Sequence, residues 1–266
     1  MKRNKALICL LLLFMGGAIQ AQVWQTLNVA ILGDSNTWSG GDDCSKPNGW
    51  NTWFKKALEP ASCWSYARSG ATWTHTTETR QNTKEVTGLI GNDNVIYNQI
   101  RRMEEAVASG KRPSPNLIVI AAGTNDAWFP QHRPDVYEQT AEKAFTVARE
   151  TLMQRPITEL RTLAEVIRYD CELIWERFPQ TQIVLLTPIQ STKVPVERIT
   201  QVGDIIEACA QKMCIGVIRM DREGCINAGR ESQKLLYTRD GTHTNEAGAR
   251  RNGRYIANRI RSLIEY

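Results

Sequence analysis

The chain has 266 residues, 42% of them hydrophobic and 23% charged, with a formal net charge of +5. That length supports a sizeable core, and that composition excludes a disordered tail, a collagen-like repeat and a coiled coil. The small positive charge argues against nucleic acid or an anionic membrane surface as a partner.

The first segment differs from the rest. Lys2, Arg3 and Lys5 form a basic patch, Ala6 to Met15 is an unbroken apolar run, and Gly16, Gly17, Ala18 and Ala21 are small. This is the pattern of a cleaved signal peptide over residues 1–21, with processing after Ala21. The apolar run is too short to span a bilayer comfortably, so stable membrane insertion is not expected. Cys9 lies inside the run rather than at its end, which argues against a lipidated cysteine. The expectation is export to the periplasm or beyond, and a single mature domain over 22–266 with a net charge of +2.

Strand-like and helix-like segments then alternate. Leu27 to Leu32 reads as a buried strand ending at Gly33. Trp50 to Glu59 reads as a helix closed by Pro60, and Cys63 to Ala67 as a second strand ending near Gly70. Asn94 to Ser109 carries Ile96, Ile100, Met103 and Val107 at helical spacing and stops at Gly110. Leu117 to Ala122 is the clearest buried strand, ended by Gly123. A long helix is predicted over Ile157 to Phe178, a strand over Ile183 to Thr187, a helix over Val196 to Met213 and a fifth strand within Ile215 to Met220. Asn245 to Tyr266 closes the chain as a helix. Residues 71–93 and 127–156 interrupt the alternation as long loops. The pattern predicts an α/β fold, with a parallel sheet of about five strands covered on both faces.

In such sheets ligands bind beyond the carboxyl ends of the strands, so chemistry is sought there. After the first strand come Gly33, Asp34, Ser35 and Asn36. A serine in that turn presents its hydroxyl beside the free N–H groups of a helix start, although Asp34 or Ser35 can equally serve as a helix cap. After the second strand, Gly70 permits close backbone approach. After the third come Gly123, Thr124, Asn125 and Asp126, where the Asn125 amide can donate to an oxyanion or simply shape a turn. Before the last helix come Asp240, Gly241, Thr242 and His243. Their spacing can set the carboxylate against one ring nitrogen and leave the other for Ser35. Together these residues form an acyl-transfer inventory of nucleophile, base, orienting acid and oxyanion donors.

In this order, Gly33-Asp34-Ser35, Gly70, Gly123-Thr124-Asn125-Asp126 and Asp240-Gly241-Thr242-His243 resemble the four signature blocks of SGNH/GDSL hydrolases. The resemblance implies a flavodoxin-like three-layer α/β/α sandwich and a Ser35–His243–Asp240 triad. It also implies an oxyanion hole from the Ser35 and Gly70 backbone and the Asn125 side chain, with no metal or organic cofactor. Asn36 departs from the pattern, standing where the name-giving motif has Leu.

Six of the eight tryptophans lie between Trp38 and Trp128. Trp38, Trp73 and Trp128 fall just after the motif blocks, where an aromatic ring can stack on a sugar face or simply pack. Trp50, Trp53 and Trp64 are assigned to the core. Export and loop aromatics favour a carbohydrate ester with a short acyl group, such as O-acetyl; lipase, lysophospholipase and aryl esterase activities are the alternatives within the family. Other readings are an O-acyltransferase, a non-catalytic glycan-binding module, and a metal-dependent hydrolase using Asp34, Asp126, Asp240 and His243. His75 and His132 read as solvated, and Arg250, Arg251, Arg254, Arg259 and Arg261 as a solvated helix face. Cys44, Cys63, Cys171, Cys209, Cys214 and Cys225 remain after processing and fit either disulfides or buried thiols.

Overall fold

Residues 25–81 and 93–264 are described in a computed structural model. The expected signal peptide lies outside them. Five strands form one sheet: β1 (Asn28–Gly33), β2 (Ser62–Ser65), β3 (Leu117–Ala121), β4 (Gln182–Leu186) and β5 (Gly216–Ile218). Their order is β2-β1-β3-β4-β5 and every pairing is parallel. Parallel neighbours need crossover connections, and helices supply them on both faces.

The strand sequences show why. In β1, Ala30 and Leu32 enter one core layer while Val29 and Ile31 enter the other. In β3, Ile118 and Ile120 alternate with Leu117 and Val119 in the same way, as do Ile183 and Leu185 with Val184 and Leu186 in β4. Near-continuous apolar runs in β1, β3 and β4, with side chains pointing alternately up and down, give a sheet buried on both faces.

One layer holds α3 (Ile96–Ala108), α7 (Leu163–Arg177) and α8 (Val196–Lys212). The other holds α2 (Trp50–Leu58) and α11 (Glu246–Leu263). Gly253 brings α11 hard against α2, for a Cβ there would fall 2.7 Å from that of Trp53. Shorter helices complete the chain: α1 (Ser35–Trp38), α4 (Thr124–Trp128), α5 (Ala141–Ala144), α6 (Arg149–Met153), α9 (Met220–Glu223) and α10 (Ala228–Gln233).

Two expectations change. The helix predicted over 157–178 is a short 3-10 turn, Ile157–Glu159, followed by α7. Thr162 caps α7 by accepting from the Glu165 N–H while its hydroxyl donates to the Glu165 carboxylate at 2.9 Å, so the capping pair starts the helix there. The stretch 127–156 is not a bare loop either, since it carries a second 3-10 turn (Pro130–His132), α5 and α6. All six cysteines of the described residues are free thiols, four of them buried.

The first crossover leaves β1 for β2 on one side, and the chain then returns to place β3 on the other. The carboxyl ends of β1 and β3 therefore border the switch point where open α/β sheets bind ligands. Gly33 pairs with Ala121 there.

Candidate active site

Ser35 opens α1 directly beyond Gly33. Gly33 is required by contact: a Cβ would fall 2.5 Å from the Ala121 carbonyl oxygen and 2.7 Å from the Thr37 hydroxyl. Gln99 clamps this glycine, its carbonyl accepting from the Gly33 N–H at 2.8 Å and its amide donating to the Gly33 carbonyl at 2.9 Å. Asp34 caps the helix by accepting the Asn36 N–H at 3.0 Å. Capping and presentation of the serine are thus one arrangement. Burial raises the Asp34 carboxyl above its usual range, against hydrogen bonds from Thr124 and Asn36.

The turn before α11 is built as tightly. Glu231 is buried, and its carboxylate accepts the N–H groups of Leu236, Tyr237 and Thr238 and the Thr238 hydroxyl. Thr238 and Thr244 then bridge in antiparallel fashion, and the Arg239 N–H donates to the His243 carbonyl at 2.8 Å. Asp240 and His243 are held on the intervening turn, where Gly241 has a φ of 87°, the left-handed region open to glycine.

One Asp240 oxygen accepts the N–H groups of Thr242 and His243, at 2.9 and 2.8 Å. The other lies 2.7 Å from His243 Nδ1. Partial burial alone would raise this carboxyl, but those hydrogen bonds and the imidazole hold it down at about 2. A carboxylate so ionised only accepts, which puts the His243 proton on Nδ1 and the lone pair on Nε2. Nε2 lies 2.9 Å from Ser35 Oγ and accepts its hydroxyl proton. Ser35, His243 and Asp240 form one unbroken hydrogen-bonded chain.

The expected oxyanion donors come from three separate turns. Ser35 N–H and Gly70 N–H have no hydrogen-bond partner among the described residues. Gly70 has a φ of 72°, and the Arg68 N–H two residues earlier donates to the Gly33 carbonyl at 3.1 Å, tying this turn to the end of β1. Asn125 is buried and gives one amide hydrogen to the Ala71 carbonyl at 2.8 Å, which leaves the other for a ligand. Asp126 shapes the neighbouring turn by accepting the Trp73 and Thr74 N–H groups and the Thr74 hydroxyl.

The loop tryptophans divide. Trp38 is 46% exposed on α1, and Trp128 is half-buried with its ring stacked on Phe129 at 5.3 Å between centroids. Trp73 is 0% exposed and belongs to the core, so the expectation that it meets substrate is corrected: Asp126 fixes its backbone and turns the indole inward. Of the tryptophans assigned to the core, Trp50 is buried, while Trp53 and Trp64 are half-buried under Lys56 and Arg112. His75 is also corrected. It is 1% exposed, its Nδ1–H donates to the Leu160 carbonyl at 3.0 Å, and burial lowers its pKa to about 4. His132 is exposed as expected.

One positioning contact escaped the sequence. The Asn36 side-chain carbonyl accepts the Thr244 N–H at 3.2 Å, joining the serine turn to the histidine turn across 208 residues. Asn36 stood out only as a departure from a motif, and no local pattern names its partner. Among the described residues no three His, Cys, Asp or Glu side chains are grouped to hold a metal ion. No described helix is long and apolar enough to cross a membrane.

Comparisons with known proteins bear on the fold and the family. The model of the GDSL-like lipase/acylhydrolase family matches residues 31–251. Solved structures with a similar fold include a protein from Lactobacillus plantarum, 15% identical with a TM-score of 0.55 over 90% of this chain and 96% of that one. An acetyl xylan esterase is 17% identical with a TM-score of 0.52 over 90% and 100% of the two chains. A lipase/acylhydrolase from Enterococcus faecalis is 18% identical with a TM-score of 0.51 over 90% and 98%. No curated protein matches the chain. The family match runs from the strand that delivers Ser35 to the helix that follows His243, and the chain belongs to the GDSL-like lipase/acylhydrolase family of hydrolases.

Proposed function

We propose that the protein is an exported serine esterase that removes short acyl groups, such as O-acetyl, from a carbohydrate. The single observation that carries the chemistry is the hydrogen-bonded chain from Asp240 through His243 to Ser35, at 2.7 and 2.9 Å. In this reading His243 Nε2 takes the Ser35 proton as Oγ adds to the ester carbonyl. Ser35 N–H, Gly70 N–H and the Asn125 amide donate to the resulting oxyanion. The tetrahedral adduct collapses, His243 returns the proton to the leaving alcohol, and an acyl-serine remains. Water, deprotonated by the same imidazole, then releases the acid. Asp240 stays ionised throughout and holds the imidazole in its working tautomer.

The carbohydrate part of the proposal is supported by exposed Trp38 and the stacked Trp128–Phe129 pair, flat apolar faces of the kind that sugars stack on. An acetyl xylan esterase is built on a similar fold. The leader-like segment 1–21 supports export.

The test is hydrolysis of p-nitrophenyl acetate by the parent and by Ser35→Ala, followed by a panel of acetylated glycans and long-chain esters. The expected result is a loss of about 10³-fold or more in kcat for Ser35→Ala with the melting temperature unchanged. Equal activity in both proteins would remove Ser35 from the mechanism. Preference for long acyl chains would replace the carbohydrate reading with a lipase. Transfer of acetyl to an added sugar in place of water would make the protein an acyltransferase.

A further inference from the structure

Two buried thiols face each other between the loop that follows α1 and strand β2. Cys44, in the loop after α1, is 3% exposed and Cys63, in β2, is 1% exposed, and their sulfur atoms are 3.7 Å apart. The backbone accounts for this closeness. The Ser65 N–H donates to the Asp42 carbonyl at 2.8 Å. That bond lays the turn carrying Cys44 along β2, so that Cys44, two residues after Asp42, meets Cys63, two residues before Ser65. The same loop is held from the side by an ion pair between Arg68 Nη1 and Asp42 Oδ1 at 2.9 Å. Cys44 itself has a φ of 56°, a left-handed conformation that a non-glycine residue adopts at a cost. Surrounding contacts, and not local preference, therefore set its position.

We propose that Cys44 and Cys63 form a disulfide when the chain folds in an oxidising compartment. The sulfur atoms must close from 3.7 Å to the bonded separation of about 2.05 Å. One thiolate attacks an external disulfide R–S–S–R and releases one R–S⁻, leaving a mixed disulfide. The second thiolate displaces the other R–S⁻ and completes the Sγ–Sγ bond. The two cysteines lose two protons and two electrons, and the oxidant leaves as two R–SH. In the folded chain the hydrogen bond to Cys44 and burial push the Cys63 thiol well above its ordinary range, so the exchange belongs to folding, before the core closes.

The bond would span 19 residues in sequence and pin the loop that follows the serine turn to the strand that leads to Gly70. It would thereby fix the spacing of two of the three proposed oxyanion donors. Nothing in its formation depends on the esterase reading, because its readouts are covalent mass and melting temperature.

The experiment refolds the full chain with reduced and oxidised glutathione, alkylates the remaining thiols and maps the peptides without reductant. The expected result is one linked species containing Cys44 and Cys63, lighter by two hydrogens than the separate peptides and divided by reductant. Reduction should lower the melting temperature of the parent by roughly 5–10 °C. It should leave that of the Cys44→Ala/Cys63→Ala double variant unchanged. Both cysteines alkylated after oxidative refolding would overturn the proposal, as would linkage of either to Cys214 or Cys225. Mapping the parent needs no variant, so a double variant that fails to fold leaves the answer intact.

Discussion

Asn36 shows how much of this site rests on single contacts between distant turns. Its side-chain carbonyl accepts the Thr244 N–H at 3.2 Å, next to the histidine that faces Ser35. Leu at this position would satisfy the name-giving motif but leave that buried N–H without a partner. An unpaired buried donor costs about 1–3 kcal/mol. Here that cost would be expressed as looser placement of His243. Asn36→Leu should therefore lower kcat on p-nitrophenyl acetate about tenfold with KM little changed, because the contact positions the base and does not touch substrate. A change confined to KM would instead place Asn36 against the substrate. The four motif blocks were legible in the sequence because each is a turn built of glycine and short polar residues, three of them after strands and the fourth before the last helix. The Asn36–Thr244 and Gln99–Gly33 contacts were not, since asparagine and glutamine carry no local signal for a partner so far along the chain.

Among the elements, the stretch between Gly70 and the start of α3 gives the clearest correction. Read locally, Ala71 to Arg80 is a polar loop with a solvated histidine. In the fold, Asp126 gathers the Trp73 and Thr74 backbone and the loop turns its aromatic side chains into the core. His75 then meets the Leu160 carbonyl and the ring of Tyr97. Burial holds its pKa at about 4, whereas an unfolded histidine titrates near about 6.5. Below that value the unfolded chain binds the proton first, so stability is lost as pH falls from about 6.5 to about 4. The loss amounts to about 3 kcal/mol. Denaturant unfolding of the parent between pH 7 and pH 4 should therefore show a steeper decline than His75→Phe, which keeps the ring but cannot titrate. A parallel decline would mean that His75 is not buried in its neutral form. The split of the predicted 157–178 helix has a similar origin. Helical periodicity continues across Leu160 to Thr162, but the Thr162–Glu165 capping pair decides where α7 begins.

For the whole molecule, the leader carries the remaining prediction. If residues 1–21 direct export, the secreted or periplasmic protein should begin at Gln22, as N-terminal sequencing would read. A protein that stays in the cytoplasm with Lys2 and Arg3 retained would remove the export reading and leave Cys44 and Cys63 in a reducing compartment. The sequence by itself determined the α/β class and the approximate place of all five strands, and it singled out Ser35, Gly70, Asn125, Asp240 and His243 as candidates for the site. It could do so because strand burial is written as apolar runs, and turn chemistry as glycine and short polar residues, all within a few positions. Only the tertiary structure decided that Ser35 and His243 meet, that Trp73 and His75 are buried and that Cys44 faces Cys63. Those outcomes depend on which distant segments the sheet order β2-β1-β3-β4-β5 brings to one edge, and contact across such separations leaves no periodic trace in the chain.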